Sequence, residues 1–219
     1  MKTQAQLALR ENDAAAMRAI VASIAATTDA TVHLANRLLT LARIEHGGEA
    51  AALEPVALAG VVRQVALELA LPAVQKPIDL SLDVDGAPLV DGQALLLHEL
   101  VSNLVDNAIR YTPAGGTVAL RVRALASGAR LEIEDSGAGI AAGERDKVFR
   151  PFYRSVSTMA DNQGGTGLGL AIVRDIAVLH GATIELGDGA GGVGPHVSIA
   201  FPLSKEQDKQ QESELLDKR

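Results

Sequence analysis

The chain has 219 residues and a formal net charge of −7, an acidic balance that argues against a general nucleic-acid binder, because such a protein presents a positive field to phosphates. It contains no cysteine, which excludes disulfides and thiolate metal sites and is compatible with a reducing cytoplasm. Charges and glycines interrupt the apolar runs before the roughly 18 residues that a membrane-spanning helix needs, so we expect no membrane segment in this sequence.

A long helix is predicted near the N-terminus. Residues 1–10 are weakly helical, a polar turn follows, and residues 14–46 contain neither proline nor glycine. A heptad seam runs through this second segment: Ile20, Ile24, Thr27, Thr31, Leu34, Leu38 and Leu41. A helix about 50 Å long cannot bury such a seam against itself. We therefore predict an antiparallel helical hairpin over 1–47 that forms a dimeric four-helix bundle with a second copy of the chain, in preference to a helix packed on its own globular domain.

A hinge is predicted over 48–53, a globular domain over 54–204 and a polar tail over 205–219. The first elements of the domain are an edge strand, a helix that ends before Pro77 and two further strands, at 55–57, 58–75, 78–84 and 88–90. Asp91 is expected to cap the next helix. Two hairpins complete the domain, at 117–124 with 129–135 and at 182–186 with 196–201. Helices on one face of this mixed sheet would make an α/β sandwich.

A polar helix face is predicted within residues 98–111. Glu99, Asn103 and Asn107 recur every four residues and share one face, while the opposite face is apolar through Leu100, Leu104, Val105 and Ala108. Asparagine is only a middling helix former, and an oxygen-lined face suits Mg²⁺ bridged to phosphate oxygens. A plain solvated face is the alternative. One turn further on, Arg110 is placed to reach a phosphate and Tyr111 to cover a base.

A turn follows the predicted strand that ends at Asp135. The sequence there is Asp135-Ser136-Gly137-Ala138-Gly139-Ile140. A carboxylate at a strand end can accept a hydrogen bond from an exocyclic amine such as that of adenine, while glycines leave room for the base. An ordinary Asx turn is the alternative.

Residues 141–164 carry little regular structure beyond a short helical piece predicted at 144–149. A long irregular segment inside a compact domain is usually functional or disordered, and a lid over a ligand meets both descriptions. Phe149 and Phe152 are either hydrophobic anchors of this lid or direct ligand contacts. Arg154, or else Arg150, is a candidate to neutralise charge on a γ-phosphate.

A glycine-rich stretch, Gly164-Gly165-Thr166-Gly167-Leu168-Gly169-Leu170, precedes an apolar-periodic run. Glycines let the backbone approach a ligand closely, and a helix beginning at Gly167 would direct unpaired N–H groups and a positive dipole end at an anion. The stretch therefore predicts a phosphate site. A flexible glycine loop that merely caps a helix is the alternative.

Taken together, these motifs resemble those of the sensor histidine kinases in order and spacing. The matching segments are the N box (Asn103, Asn107), the G1 box (Asp135, Gly137, Gly139), the F box (Phe149, Phe152) and the G2 box (Gly165, Gly167, Gly169). The ATP-binding domain of that family belongs to the gyrase, Hsp90, histidine kinase and MutL superfamily, so the resemblance implies a Bergerat-type ATP-binding fold after the helical hairpin. It also implies ATP and Mg²⁺ as ligands.

The resemblance assigns roles residue by residue. Asp135 would bind the adenine amine, Asn103 would hold Mg²⁺, and Asn107 and Arg110 would approach the phosphates. Glu99 is a candidate to orient a Mg²⁺-bound water, with a solvated acid near the helix start as the alternative. The remaining expected contacts come from the G2 loop around the triphosphate and from the pocket walls: Tyr111, Gly137, Gly139, Ile140, Phe149, Phe152, Gly165, Thr166, Gly167, Leu168 and Gly169.

Residues 36–45 resemble the end of the second helix of the family's dimerisation and phosphotransfer domain, and 1–10 the tail of its first helix. The phosphoacceptor box, a histidine followed by an acid or amide and then Arg-Thr-Pro, is absent from the sequence. We expect it just before residue 1, and we assign its role to none of His33, His46, His98, His180 or His196. The resemblance implies a homodimer through the N-terminal helices, a response regulator as partner, and a membrane-anchored parent kinase with this core in the cytoplasm.

Two other functions stay open. An anti-sigma-factor type serine kinase shares the nucleotide fold, although the long heptad helix argues against it. A non-catalytic, nucleotide-gated dimerisation module is the other, because binding motifs do not by themselves establish turnover.

Overall fold

The computed structural model describes residues 53–154 and 167–204, together with three helical residues nearer the N-terminus: Met17, Ile20 and Val21. The predicted helical bundle, most of the hinge, the polar tail and the start of the glycine-rich stretch lie outside the described residues. The domain boundaries drawn from the sequence stay predictions. Within the described ranges, none of the helices combines the length and the apolar content needed to cross a membrane.

The strands of the described part of the chain form two sheets. In the smaller sheet, β1 (Glu54–Ala57) pairs antiparallel with β3 (Leu89–Gly92). The larger sheet has the order β2-β4-β5-β7-β6, in which only β2 and β4 run parallel. Its strands are β2 (Asp79–Asp85), β4 (Thr117–Leu125), β5 (Gly128–Asp135), β6 (Thr183–Asp188) and β7 (Pro195–Pro202). Both predicted hairpins are therefore present, as β4 with β5 and as β6 with β7.

Within residues 53–154 and 167–204, four α-helices pack on one face of the larger sheet: α1 (Leu58–Glu68), α2 (Ala70–Gln75), α3 (Ala94–Tyr111) and α4 (Gly169–Leu179). Their apolar sides and the inward residues of β4, β5 and β7 form one hydrophobic cluster. In α3, the side chains of Leu97, Leu100 and Val101 are fully buried in it. The predicted α/β sandwich with a mixed sheet is confirmed.

The other face of the larger sheet is polar, because alternate residues of each strand point away from the helices. Ion pairs cross neighbouring strands there: Arg121 Nη1 lies 2.6 Å from Glu134 Oε2, and Arg123 pairs with Asp83. Such cross-strand pairs on a wet face contribute little stability each. These pairs do fix which face of each strand points away from the core, because turning a strand over would bury its charged side chains.

Two predictions for the first part of the domain are wrong. The single helix predicted over 58–75 is divided into α1 and α2 at Leu69, whose φ of −94° and ψ of 1° are not helical. Pro72 explains the break, because proline lacks an N–H and its ring clashes with the carbonyl four residues earlier. Asp91 does not cap α3. It lies in β3, whose pairing extends to Gly92, and Gln93 is the N-cap residue.

We expect Leu97→Ala to destabilise the domain by about 2–5 kcal/mol, since it leaves a cavity in the core. Leu95→Ala is the matched control on the same helix: Leu95 is 69% exposed, and its truncation should change stability by no more than about 0.5 kcal/mol. Urea unfolding of both variants measures the difference. Equal losses would contradict the packing direction of α3.

Candidate functional site

The asparagine face of α3 forms one wall of the site. Asn103 Nδ2 donates a hydrogen bond to the backbone carbonyl of Glu99 at 2.8 Å. Because the nitrogen is bonded to the helix itself, the orientation of the amide is fixed and Oδ1 points away from that carbonyl. An amide oxygen held in this way is a suitable ligand for a hard cation.

The start of α4 lies directly against this face. A Cβ added at Gly169, the first residue of α4, would lie 3.0 Å from Asn103 Oδ1 and 3.3 Å from Asn107 Nδ2. Only glycine fits there without displacing one of the amides. The unpaired N–H groups at the start of a helix and its positive dipole end are therefore brought beside both asparagines, an arrangement suited to a phosphate group.

The prediction that α4 begins at Gly167 is wrong by two residues. Gly167 has a φ of +68°, which is incompatible with a right-handed helix, and a Cβ there would lie 2.7 Å from the carbonyl oxygen of Tyr153. The Gly167 carbonyl accepts a hydrogen bond from Phe152 N at 2.8 Å. The chain before the undescribed residues and the chain after them are thus joined at the base of α4.

Asp135 lies at the end of β5 and is only 8% exposed. Its Oδ1 accepts hydrogen bonds from the backbone N–H of Gly137 at 2.8 Å and from the hydroxyl of Thr112 at 3.3 Å. Burial raises the pKa of Asp135 to about 6, and these two hydrogen bonds only partly oppose the increase. The Asx turn weighed as an alternative is therefore present, but it uses Oδ1 and leaves Oδ2 for a ligand.

The Asp135 turn also contacts the end of α3. A Cβ added at Gly137 would lie 2.8 Å from the carbonyl oxygen of Tyr111, and Thr112 follows as the C-cap residue of the helix. Residues separated by more than twenty positions in sequence are thus in contact. One helix, α3, touches the Asp135 turn at its C-terminus and the start of α4 near its middle.

Sequence reasoning missed two residues at this end of α3. Thr112 is fully buried and donates to Asp135. Lys76 Nζ donates to the carbonyl oxygens of Ile109 at 2.8 Å and Arg110 at 2.5 Å, which are among the unpaired carbonyls at the helix end. Burial, and secondarily the charge of Arg110, lower the pKa of Lys76. The position of Thr112 just after the predicted helix was the only signal, and Lys76 had none.

The other predicted residues differ in accessibility. Leu168 is 1% exposed and belongs to the core, so only its backbone can face a ligand. Arg110 forms an ion pair with Asp106 at 3.0 Å. Phe152 is 67% exposed at a φ of +63°. Gly139 has a φ of +75°. The remaining described residues of this set are partly buried: Glu99, Ile140, Phe149 and Arg154.

The helical piece predicted at 144–149 is instead a short 3₁₀ turn at Ala142–Glu144 followed by further turns. Six residues are too few for a stable isolated helix, and side-chain contacts hold the segment instead. The Tyr153 hydroxyl donates to Glu144 Oε1 at 2.8 Å, and Arg145 Nη2 pairs with Asp188 at 2.5 Å. Gly165 and Thr166 lie outside the described residues, and their roles stay predictions.

The structure has a mixed sheet covered by helices on one face. A buried aspartate lies at one end of a long helix, and a second helix that begins with glycine lies against the asparagines of the first. This arrangement is the Bergerat-type ATP-binding fold. Residues 92–205 match the family model described as histidine kinase-, DNA gyrase B- and HSP90-like ATPase. The chain belongs to this family, and within it to the catalytic domains of the sensor histidine kinases.

The chain is similar to the sensor protein kinase PmrB of Pseudomonas aeruginosa, with 39% identity over 94% of this chain and 42% of that protein. It therefore spans less than half the length of this relative. Among solved structures it resembles the mycobacterial sensor histidine kinase MprB, with 32% identity, a TM-score of 0.59, and coverage of 68% of this chain and 97% of that one. It also resembles full-length ShkA in complex with AMPPNP, with 27% identity, a TM-score of 0.63, and coverage of 93% and 46%.

Asp135→Asn should stabilise the ligand-free protein at neutral pH. Because the pKa of Asp135 is raised from 3.8 to about 6 on folding, its favourable contribution is fully present below pH 3.8 and is lost as pH rises through 6. A pKa difference of this size corresponds to about 3 kcal/mol. Urea unfolding of both proteins between about pH 4 and pH 8 measures this dependence. The same pH dependence in the variant as in the native protein would contradict it.

Proposed function

We propose that this chain is the ATP-binding catalytic part of a two-component sensor histidine kinase, which transfers the γ-phosphoryl group of Mg-ATP to a histidine and thence to a response regulator. The observation that carries the proposal is the convergence of three separate motifs on α3. Gly169 abuts Asn103 and Asn107, while Gly137 abuts Tyr111. The relatives named above as sensor kinases, and the solved complex of ShkA with an ATP analogue, support it.

The two ends of the nucleotide would lie at different levels of α3. Asp135 Oδ2 would accept the exocyclic amine of adenine beside Thr112, where burial disfavours any base that presents a carbonyl instead. The triphosphate would lie near Asn103 and the start of α4. Nine residues of α3 separate these levels, which is about 13 Å along the helix axis. The base and the transferred phosphate are therefore recognised independently.

Asn103 Oδ1 would be the protein's ligand to Mg²⁺, and Asn107 and Arg110 would contact the phosphates. Held there, Mg²⁺ would supply positive charge against the charge that develops on the phosphates during transfer. A single protein oxygen suits Mg²⁺, which usually keeps several waters and takes other ligands from the substrate. Glu99, whose carbonyl accepts a hydrogen bond from the Asn103 amide, would orient such a water from one turn away.

In the transfer step, an imidazole nitrogen of the acceptor histidine would attack the γ-phosphorus in line. The bond from phosphorus to the bridging oxygen would break, and ADP would leave with that oxygen. The protein's contribution would be positioning and electrostatic stabilisation, with Arg154 as the candidate cation at the γ-phosphate. We assign the acceptor role to none of the described histidines: His180 is only 3% exposed, and neither His98 nor His196 has the neighbours of a phosphoacceptor box.

The same proposal extends to partners. The heptad seam would form a homodimer through the N-terminal helices, and the receiver domain of a response regulator would accept the phosphoryl group. The complete kinase would be anchored in the inner membrane, with this core on the cytoplasmic side. The names of the relatives as sensor proteins support this arrangement.

Gly169→Ala should weaken Mg-ATP binding by about tenfold or more, because the added methyl group would displace an asparagine amide at a cost above about 1.4 kcal/mol. Gly187→Ala is the control: a Cβ at Gly187 meets nothing within 4 Å, so affinity should not change. Isothermal titration calorimetry measures both. Native-like affinity in Gly169→Ala would remove the close approach of α4 from the nucleotide site.

Incubation with γ-labelled ATP should leave this chain unlabelled and should label a separate fragment that carries a phosphoacceptor histidine box. Acid-labile label identifies phosphohistidine. Label on a histidine of this chain would contradict our account of the acceptor. Acid-stable label on serine would favour the anti-sigma-factor type kinase, and ATP binding without any transfer would favour the nucleotide-gated dimerisation module.

A further inference from the structure

His180 is a buried polar residue that the proposed chemistry does not use. It is the C-cap residue of α4 and is only 3% exposed. Its Nδ1 lies 2.7 Å from the carbonyl oxygen of Ile176, and its Nε2 lies 3.1 Å from the backbone nitrogen of Gln93. A carbonyl oxygen can only accept and a backbone N–H can only donate. The imidazole is therefore neutral, with its proton on Nδ1, and burial lowers its pKa in agreement with that state.

The Nε2 contact joins two different helices. Gln93 is the N-cap residue of α3, and its side chain makes no capping hydrogen bond. Its backbone N–H is one of the groups that have no partner within the helix, and His180 of α4 accepts it. The approach is close: a Cβ added at Gly92 would lie 2.8 Å from His180 Cδ2 and 3.0 Å from Nε2. The imidazole ring thus lies directly against the backbone that leads into α3.

This contact and the Gly169 contact hold opposite ends of α4 against α3. Gly169, the first residue of α4, touches Asn103 and Asn107, and His180, just after its last residue, binds the start of α3. The 11 residues of α4 span only about 16 Å. A rigid element held at both ends has little freedom to tilt, so loss of the His180 contact would free one end of α4 and change the position of Gly169.

We propose that His180 is a positioning residue of the nucleotide site, which fixes α4 relative to α3 and thereby sets the distance between Gly169 and the asparagine pair. This inference rests on the proposed function, because it assigns His180 a role in binding Mg-ATP. It differs from a purely structural role, in which loss of His180 would lower stability without changing affinity in the folded protein.

Two conservative variants separate the two hydrogen bonds. In His180→Gln the amide oxygen falls near the position of Nε2 and can still accept from Gln93 N–H. In His180→Asn the amide nitrogen falls near the position of Nδ1 and can donate to Ile176, but the side chain is too short to reach Gln93. Each variant keeps one bond of the native histidine, so the pair serves as its own control for stability.

Calorimetry with Mg-ATP, at a temperature where unfolding curves show both variants folded, should give near-native affinity for His180→Gln. His180→Asn should bind about tenfold more weakly, since one bridging hydrogen bond corresponds to roughly that factor. Equal affinities in the two variants would overturn the inference, as would affinities that follow stability instead of the Gln93 contact. Failure of the native protein to bind Mg-ATP would instead overturn the proposed function.

A measurement on the native protein keeps the inference testable if a variant fails to fold. Coupling between two sites is reciprocal, so nucleotide binding should strengthen the hydrogen bond from Gln93 N–H to His180. Hydrogen exchange of the Gln93 amide, followed by NMR, should therefore slow when Mg-ATP is added. Unchanged exchange at saturating nucleotide would overturn the inference.

Discussion

The contact between Gly169 and the asparagine face of α3 is the constraint on which the site depends. Two polar amides on a helix face would ordinarily be solvated, and the start of a second helix would ordinarily need a capping side chain. Here the two features meet so closely that a Cβ added at Gly169 would lie only 3.0 Å from Asn103 Oδ1. The rest of the fold supports this contact: α3 and α4 bury their apolar sides in one core, and His180 at the end of α4 accepts a hydrogen bond from the backbone at the start of α3.

The electrostatics of Asp135 follow a different logic. A carboxylate that is 8% exposed is costly to ionise, and its two hydrogen bonds leave its pKa near 6. A protein selected only for stability would place an uncharged residue there. If an amine donor of a ligand binds this carboxylate, as we propose for adenine, its hydrogen bond would offset that cost, and the cost in the ligand-free protein would favour ligands that present such a donor.

Sequence patterns predicted most elements, because an element with one buried face has apolar residues at regular spacings in the sequence. The alternation in 78–84 and 129–135 gave β2 and β5, and the spacing of Leu100, Leu104 and Ala108 gave α3. The errors arose where a neighbour overrides local preference. Pairing with β1 places Asp91 in β3, and Pro72 divides the helix that precedes β2. The Gly167 carbonyl accepts a hydrogen bond from Phe152 N–H, and its positive φ keeps Gly167 out of α4.

The sequence by itself determined the order and spacing of the motifs, and hence the class of protein. Glycine, asparagine and aspartate at these positions predict a particular chemistry before the structure is known. Only the tertiary structure decided which groups meet. Thr112 reaches Asp135 across 23 positions and Gln93 reaches His180 across 87. No periodicity within one segment encodes such a contact, because it depends on how two elements pack on a common sheet. For that reason the sequence predicted the chemistry of the site but not the residues that hold the site in place.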